Sequence, residues 1–273
     1  MTESQRQAAF DTLWTAWQSG LRVTALSEAC RPHSREDGYA IQALLEPRST
    51  RPLFGWKIAA TSKAGQAHIN VDGPLAGRLL AERAFESGAR LRFGANHMKV
   101  AEAEFAFRMA VDLPPRPAPY SVDEVLRSVA TLHPAIEIPD SRYDDFTIVG
   151  AAQLIADNAC AHEFVLGQAA PDSWRSIDLA AHRVTGSVVR GATPSGSPEQ
   201  TEHEGIGANV LGDPRIALTW LVNELSQIGV TLRAGQVVTT GTCLTPLPIA
   251  TGDRVSMDFG VLGSVDVSFH HLP

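Results

Sequence analysis

The chain has 273 residues, 44% hydrophobic and 19% charged, with a formal net charge of −7. This balance suits one large globular domain with a small appendage and excludes a disordered chain. A mildly acidic chain without clustered lysines and arginines also argues against nucleic acid as a partner.

The opening stretch, MTESQRQAAFDTLWTAW, is polar and amphipathic and lacks the pattern of a signal peptide, so a cytoplasmic protein is expected. No segment reaches the ~18 consecutive apolar residues that span a bilayer, so no membrane partner is expected either. Apolar residues at helical spacing predict helices over 3–19 (Phe10, Leu13, Trp14, Trp17) and 34–46 (Tyr39, Ile41, Leu44, Leu45). Ser34 stands as N-cap of the second, with acidic residues in its first turn, and Pro47 ends it. Residues 1–50 thus read as a helical N-terminal region ahead of a domain over 51–273.

From residue 53 short apolar or alternating runs appear between glycines and prolines: LFGWKIAAT, KVAEAEFAFRMAVDL, PAIEI, CAHEFVLG, AAHRVTGSVV, QVVTTGTC, DRVSMDFG and GSVDVSFHH. These are strand signals, several too closely spaced for a repeating βαβ plan. SVDEVLRSVATLH (121–133) and PRIALTWLVNELSQIG (214–229) predict helices, the second closing near Gly229. The sum is an α+β fold, strand-rich and mixed, with a few covering helices. Residues 191–208, rich in Gly, Pro, Ser and Glu, predict a long surface loop. Cys30, Cys160 and Cys243 form no CxxC pair, which indicates neither a disulfide framework nor a thiolate metal site.

The chemistry concentrates in 99–111. On a strand, Ala101, Ala103, Phe105, Phe107, Met109 and Val111 share a core face, and Glu102 and Glu104 share the opposite one, about 7 Å apart. Two carboxylates so placed are either a solvated face or a pair with a cation between them. Glu137, flanked by apolar residues in Pro-Ala-Ile-Glu-Ile-Pro, needs a partner if buried: a metal, or Arg142 nearby. Three carboxylates without clustered His or Cys point to a hard ion, Mg²⁺ or Mn²⁺. Lys57, inside the apolar run Phe-Gly-Trp-Lys-Ile-Ala-Ala, either snorkels to the surface or faces a polar site.

GWKIAATS, Val71-Asp72-Gly73-Pro74, AEAEFAF, PAIEIPDSRYDDF, Ile155-Ala156-Asp157-Asn158, FVLG, VLGDP, WLVNEL, AGQVVTTGT and LGSVDVSF follow one another in this order. With these landmarks the sequence resembles the fumarylacetoacetate hydrolase superfamily, in its branch of 2-keto-4-pentenoate hydratases and 4-oxalocrotonate decarboxylases. The resemblance implies a mixed β-roll with Glu102, Glu104 and Glu137 as ligands of Mg²⁺ or Mn²⁺. It implies catalytic roles for Lys57 and Asp72, substrate-binding roles for Asn158 and Thr242, a small 2-keto acid as substrate, and a homo-oligomer. For Asp157 a structural role stands beside any functional one. Trp14 and Trp17 could serve an oligomer contact or pack within the monomer.

The expected activity is a metal-dependent hydratase of 2-hydroxy-2,4-dienoates, in which the metal stabilises an enolate as a Lewis acid. Leu75 departs from the hydratase pattern, which carries an Asp there, and with Ser141-Arg142-Tyr143 favours a 2-oxo-3-enedioate decarboxylase. Ala76 is smaller than the residue either group carries. An acylpyruvate-type C–C hydrolase and a non-catalytic metal or small-acid binding protein are the further alternatives.

Overall fold

The computed structural model describes residues 1–190 and 199–270. Its helices are α1 (Glu3–Ser19), α2 (Arg35–Gln42), α3 (Lys63–His68), α4 (Val122–Arg127), α5 (Ala151–Ala156) and α6 (Pro214–Gln227). Its strands are β1 (Gly55–Ala59), β2 (Leu75–Leu79), β3 (Ala84–Glu86), β4 (Ala89–Arg92), β5 (Val100–Met109), β6 (Val129–Ile138), β7 (Glu163–Leu166), β8 (Arg183–Val189), β9 (Gln200–Ile206), β10 (Val237–Thr242), β11 (Leu247–Pro248), β12 (Arg254–Asp258) and β13 (Ser264–His270).

The strands make two mixed sheets. One runs β2-β1-β10-β5-β6-β7-β3, with β11 on β5, and the other runs β4-β13-β12-β8-β9. Phe105, Phe107 and Ile136 from the first sheet and Val255, Met257 and Val267 from the second share one buried core. The predicted core face of 99–111 is buried as far as Met109; Val111, placed on it by alternation, is 50% exposed because β5 has already ended.

α1 starts on a capping box between Thr2 and Gln5. Its Phe10 and Leu13 form a second apolar cluster with Leu26, Ile41, Leu45, Tyr143 and Ala156, which seats the N-terminal helices beside α5. Trp14 and Trp17 pack within the chain: Trp14 stacks on Phe10 at 6.0 Å, and Trp17 Nε1 donates to His162 Nδ1 at 3.0 Å. α6 ends as predicted, with Gly229 at φ 76° just past it.

Two expectations are corrected. The helix over 121–133 is only α4; a Ser121–Glu124 capping box starts it, and from Val129 the chain joins β6 instead. Pairing of β6 with β5 over most of its length outweighs the local helical spacing. The loop over 191–208 is not all loop: β9 pairs with β8 from Gln200 to Ile206, and a short 3-10 turn follows at Gly207–Asn209. Gln-Thr-Glu-His-Glu is an edge strand too polar to carry a hydrophobic period. The rest of that prediction, 191–198, lies outside the described residues.

Candidate metal centre

β5 and β6 pair antiparallel in a register that sets Glu102 opposite Glu137 and Glu104 opposite Ala135. Side chains directly opposite on an antiparallel pair lie on the same face, so the three carboxylates converge. One oxygen from each lies within 4.8 Å of the others. Glu104 and Glu137 are fully buried, and Glu102 is partly exposed. Like charges facing each other across a ladder are destabilising unless a positive charge joins them.

Lys57 supplies one such charge. It projects from β1, is 3% exposed, and its Nζ lies 2.9 Å from Glu137 Oε1 and donates to the Ala159 carbonyl at 3.2 Å. Burial pulls the Lys57 pKa down, and the carboxylates of Glu137, Glu102 and Glu104 outweigh it, so the net effect is a rise and the ammonium persists. One ammonium does not balance three carboxylates. Burial, then the Glu137 charge, raises Glu102 to about 7, with Lys57 opposing. Burial, then Glu137 and Glu102, raises Glu104 well above the usual carboxylate range.

The oxygens not yet engaged match a cation. Glu104 Oε1 and Glu137 Oε2 are buried without a hydrogen-bond partner, and Glu137 Oε1 has only the Lys57 ammonium beside it, an ion pair without hydrogen-bond alignment. Buried orphan oxygens of this kind are rare in native proteins. An all-carboxylate donor set fits a hard divalent ion such as Mg²⁺ or Mn²⁺.

The surroundings fix this geometry in ways the sequence reading did not anticipate. Glu104 Oε2 accepts from Gly241 N at 2.8 Å and from Thr239 Oγ1. The Ala159 carbonyl is aimed at Lys57 by a turn in which Asn158, Ala159 and Cys160 all take positive φ (56°, 50° and 61°). Three consecutive non-glycine residues in that region are strained and need outside support. Arg142 supplies it. Its guanidinium binds the carboxylate and carbonyl of Asp157 and, through NH1, the carbonyls of Asp140 and Ala161 at 2.8 and 3.1 Å; Ser141 Oγ donates to Asp157 Oδ2 at 2.7 Å. Arg142 is therefore the partner of Asp157, and Glu137 is left to Lys57.

The remaining predicted site residues lie as follows. Asn158 is buried, with Oδ1 accepting from Arg78 N at 2.6 Å and Nδ2 donating to Arg78 O at 2.8 Å, so its amide clamps β2 to the turn. Close approach there requires Gly77, where a Cβ would meet the Asn158 carbonyl at 2.4 Å. Thr242 stands opposite Glu104 in the ladder and donates its hydroxyl to Leu244 O at 2.7 Å. Asp72 is on an exposed bend ahead of β2, and Leu75 is fully buried at the start of that strand. A cavity of about 500 Å³, lined in part by Arg22, Arg83, Arg90, Asp140 and Glu163, contains none of the three glutamates in its lining.

Two mixed sheets thus carry a three-glutamate, one-lysine cluster whose donor set fits a divalent ion. No protein-family model matches the chain. It is 32% identical over 272 residues to a 2-keto-4-pentenoate hydratase of Paraburkholderia xenovorans, covering 98% of this chain and 96% of that one. It is 32% identical over 262 residues to a 2-hydroxyhexa-2,4-dienoate hydratase of Comamonas testosteroni, covering 94% of each. In structure it is similar to the 4-oxalocrotonate decarboxylase of Pseudomonas putida G7 complexed with magnesium and adipate, with a TM-score of 0.85, 24% identity and 98% of both chains covered. The chain belongs to the 2-keto-4-pentenoate hydratase family, as its sequence landmarks indicated.

Proposed function

We propose that the protein is a cytoplasmic hydratase of small 2-hydroxy-2,4-dienoic acids that uses Mg²⁺ or Mn²⁺ held by Glu102, Glu104 and Glu137. The observation that carries the reading is the convergence of three carboxylates within 4.8 Å, two of them buried with orphan oxygens, beside a buried ammonium. The names of the hydratase relatives support the substrate class. When bound, the ion supplies Lewis-acid stabilisation of negative charge on the oxygens of a 2-keto acid.

The chain's own groups account for the rest. Lys57 holds its proton on Nζ, because the surrounding carboxylates raise its pKa, so it serves as a fixed cation and hydrogen-bond donor toward a substrate oxygen and not as a base. The Ala159 carbonyl and Glu137 fix where that ammonium points. Asp72, exposed on its bend, is proposed to exchange protons on the solvent side, and Thr242 to contact substrate through its position opposite Glu104. For Asn158 the clamp on Arg78 supports an indirect role, holding the strained turn that aims the Ala159 carbonyl. The balanced reaction is ketonisation of the dienol followed by addition of one water across the remaining double bond.

A second reading, decarboxylation of a 2-oxo-3-enedioate, is favoured by Leu75: a fully buried aliphatic side chain cannot move a proton to or from water. The test uses EDTA-treated protein with 2-hydroxypenta-2,4-dienoate and 2-oxo-3-hexenedioate, with and without Mg²⁺ or Mn²⁺, and mass analysis of products. A metal-dependent gain of water, absent in Glu102→Ala, is the expected result; loss of CO₂ selects the second reading. Absence of turnover on both substrates would refute both.

A further inference from the structure

β10 carries an irregularity beside the carboxylates. Thr239 pairs with Ala106 and Thr242 with Glu104, so three steps along β10 answer two along β5, the count of a β-bulge. Gly241 makes the bulge possible. It sits at φ 95°, and a Cβ there would lie 2.1 Å from Thr61 Oγ1. Thr240 turns away and donates to the Phe105 carbonyl at 3.0 Å. Thr239 and Gly241 are left on the other side, both donating to the same atom, Glu104 Oε2.

Two donors converging on one oxygen leave the other, Glu104 Oε1, buried without a hydrogen-bond partner, on a carboxylate that offers one oxygen to the three-glutamate cluster. We propose that the β10 bulge sets Glu104 as a one-oxygen ligand, with Thr239 as the positioning residue that holds its rotamer through Oε2. The inference rests on the metal reading above and adds a residue to it that does not itself touch the ion. A hydroxyl is suited to the task because it donates from a fixed χ1 on a β-branched side chain. Valine keeps that shape and lacks the donor. Without the hydroxyl the carboxylate is held by Gly241 N alone and can rotate about its last bond, so the oxygen offered to the ion is no longer fixed.

The test is direct binding of Mn²⁺ alone, followed by electron paramagnetic resonance on the full chain, for wild type, Thr239→Val and Thr239→Ser. Partners of this kind behind a ligand typically change metal affinity by roughly tenfold to a hundredfold, and Thr239→Val should weaken Mn²⁺ binding by that factor. Thr239→Ser, which restores the hydroxyl, should recover most of it. If Thr239→Val does not fold, as judged by circular dichroism, Thr239→Ala is measured in its place with the same expectation. Wild-type affinity in the donor-free variant would overturn the inference. So would a serine variant as weak as the valine one, since the loss would then come from packing. Wild-type protein that binds no Mn²⁺ would instead overturn the metal reading itself, and the inference with it.

Discussion

Replacing Glu102 by glutamine should stabilise the metal-free protein at alkaline pH while abolishing metal binding. In the unfolded chain Glu102 ionises near 4.5; in the folded chain burial and the facing Glu137 raise it to about 7. Between those values the unfolded chain has lost the proton and the folded one has kept it. Stability therefore falls as pH rises through that window, and the whole penalty stands above about 7. A rise from 4.5 to about 7 corresponds to roughly 3 kcal/mol. Coulomb repulsion between two charges as much as 4.8 Å apart, the upper limit for these oxygens, is also about 3 kcal/mol at an effective dielectric of ~20. The rise comes from burial first and from the facing Glu137 second, with Lys57 opposing, so the two figures overlap and are not summed. Because Glu102 is partly exposed, about 2 kcal/mol is the expected gain, which shifts the midpoint of a domain this size by roughly 4–8 °C. The assay is urea or thermal unfolding in EDTA at pH 8 and pH 4.5. The variant should be the more stable at pH 8, the difference should shrink toward pH 4.5, and added Mg²⁺ should stabilise wild type only. A variant less stable than wild type in EDTA at pH 8 would refute the electrostatic argument.

Removing the Lys57 ammonium from the cluster with Lys57→Met should destabilise metal-free protein by about 3–5 kcal/mol at pH 8, since it takes away the ion-pair partner of the buried Glu137; Lys57→Met combined with Glu137→Gln should recover much of that in the same unfolding assay. Turnover by Lys57→Met should fall by about 10²–10³-fold, as for loss of one preorganised donor to developing negative charge, measured at saturating Mg²⁺. Asn158→Ala should cost about 1–3 kcal/mol for each Arg78 backbone group left unpaired, whereas unchanged stability with a raised KM would assign the asparagine to substrate instead. Mg²⁺ binding should release protons and tighten as pH rises through about 7, because Glu102 must lose its proton first; calorimetry in buffers of different ionisation enthalpy reads the proton count.

The chemical core of this site is written locally, which is why it could be read. Glu102 and Glu104 share a face by strand alternation, and a glutamate between apolar neighbours at 137 announces a partner. Which partner was not legible. Arg142 is nearer in sequence, but the chain brings Lys57 to Glu137 through β1 and β10 and commits Arg142 to Asp157. Thr239 and Gly241 were missed because their role depends on a bulge opposite β5, and only a glycine inside a strand pattern hinted at it. Residues 121–133 misled because α4 and the start of β6 adjoin with no breaker between them. β9 was invisible for the opposite reason: a polar edge strand is specified by its neighbour β8 and not by its own hydrophobicity.

The opposition of Glu102 and Glu137 also bears on how the chain finds its fold. β5 and β6 are ten residues each, and the cluster exists in only one of their pairings. A slip of a single residue would send one strand's carboxylates to the other side of the sheet. Metal-free, the correct pairing sets like charges against each other and is disfavoured at the site itself. A divalent ion in the surrounding solution would bind the correct pairing and none of the slipped ones, shifting the population toward it by mass action. If the three glutamates hold the ion as proposed, they would also act as a proofreader of strand registration, and refolding without a divalent ion should yield more mispaired chains than refolding with one.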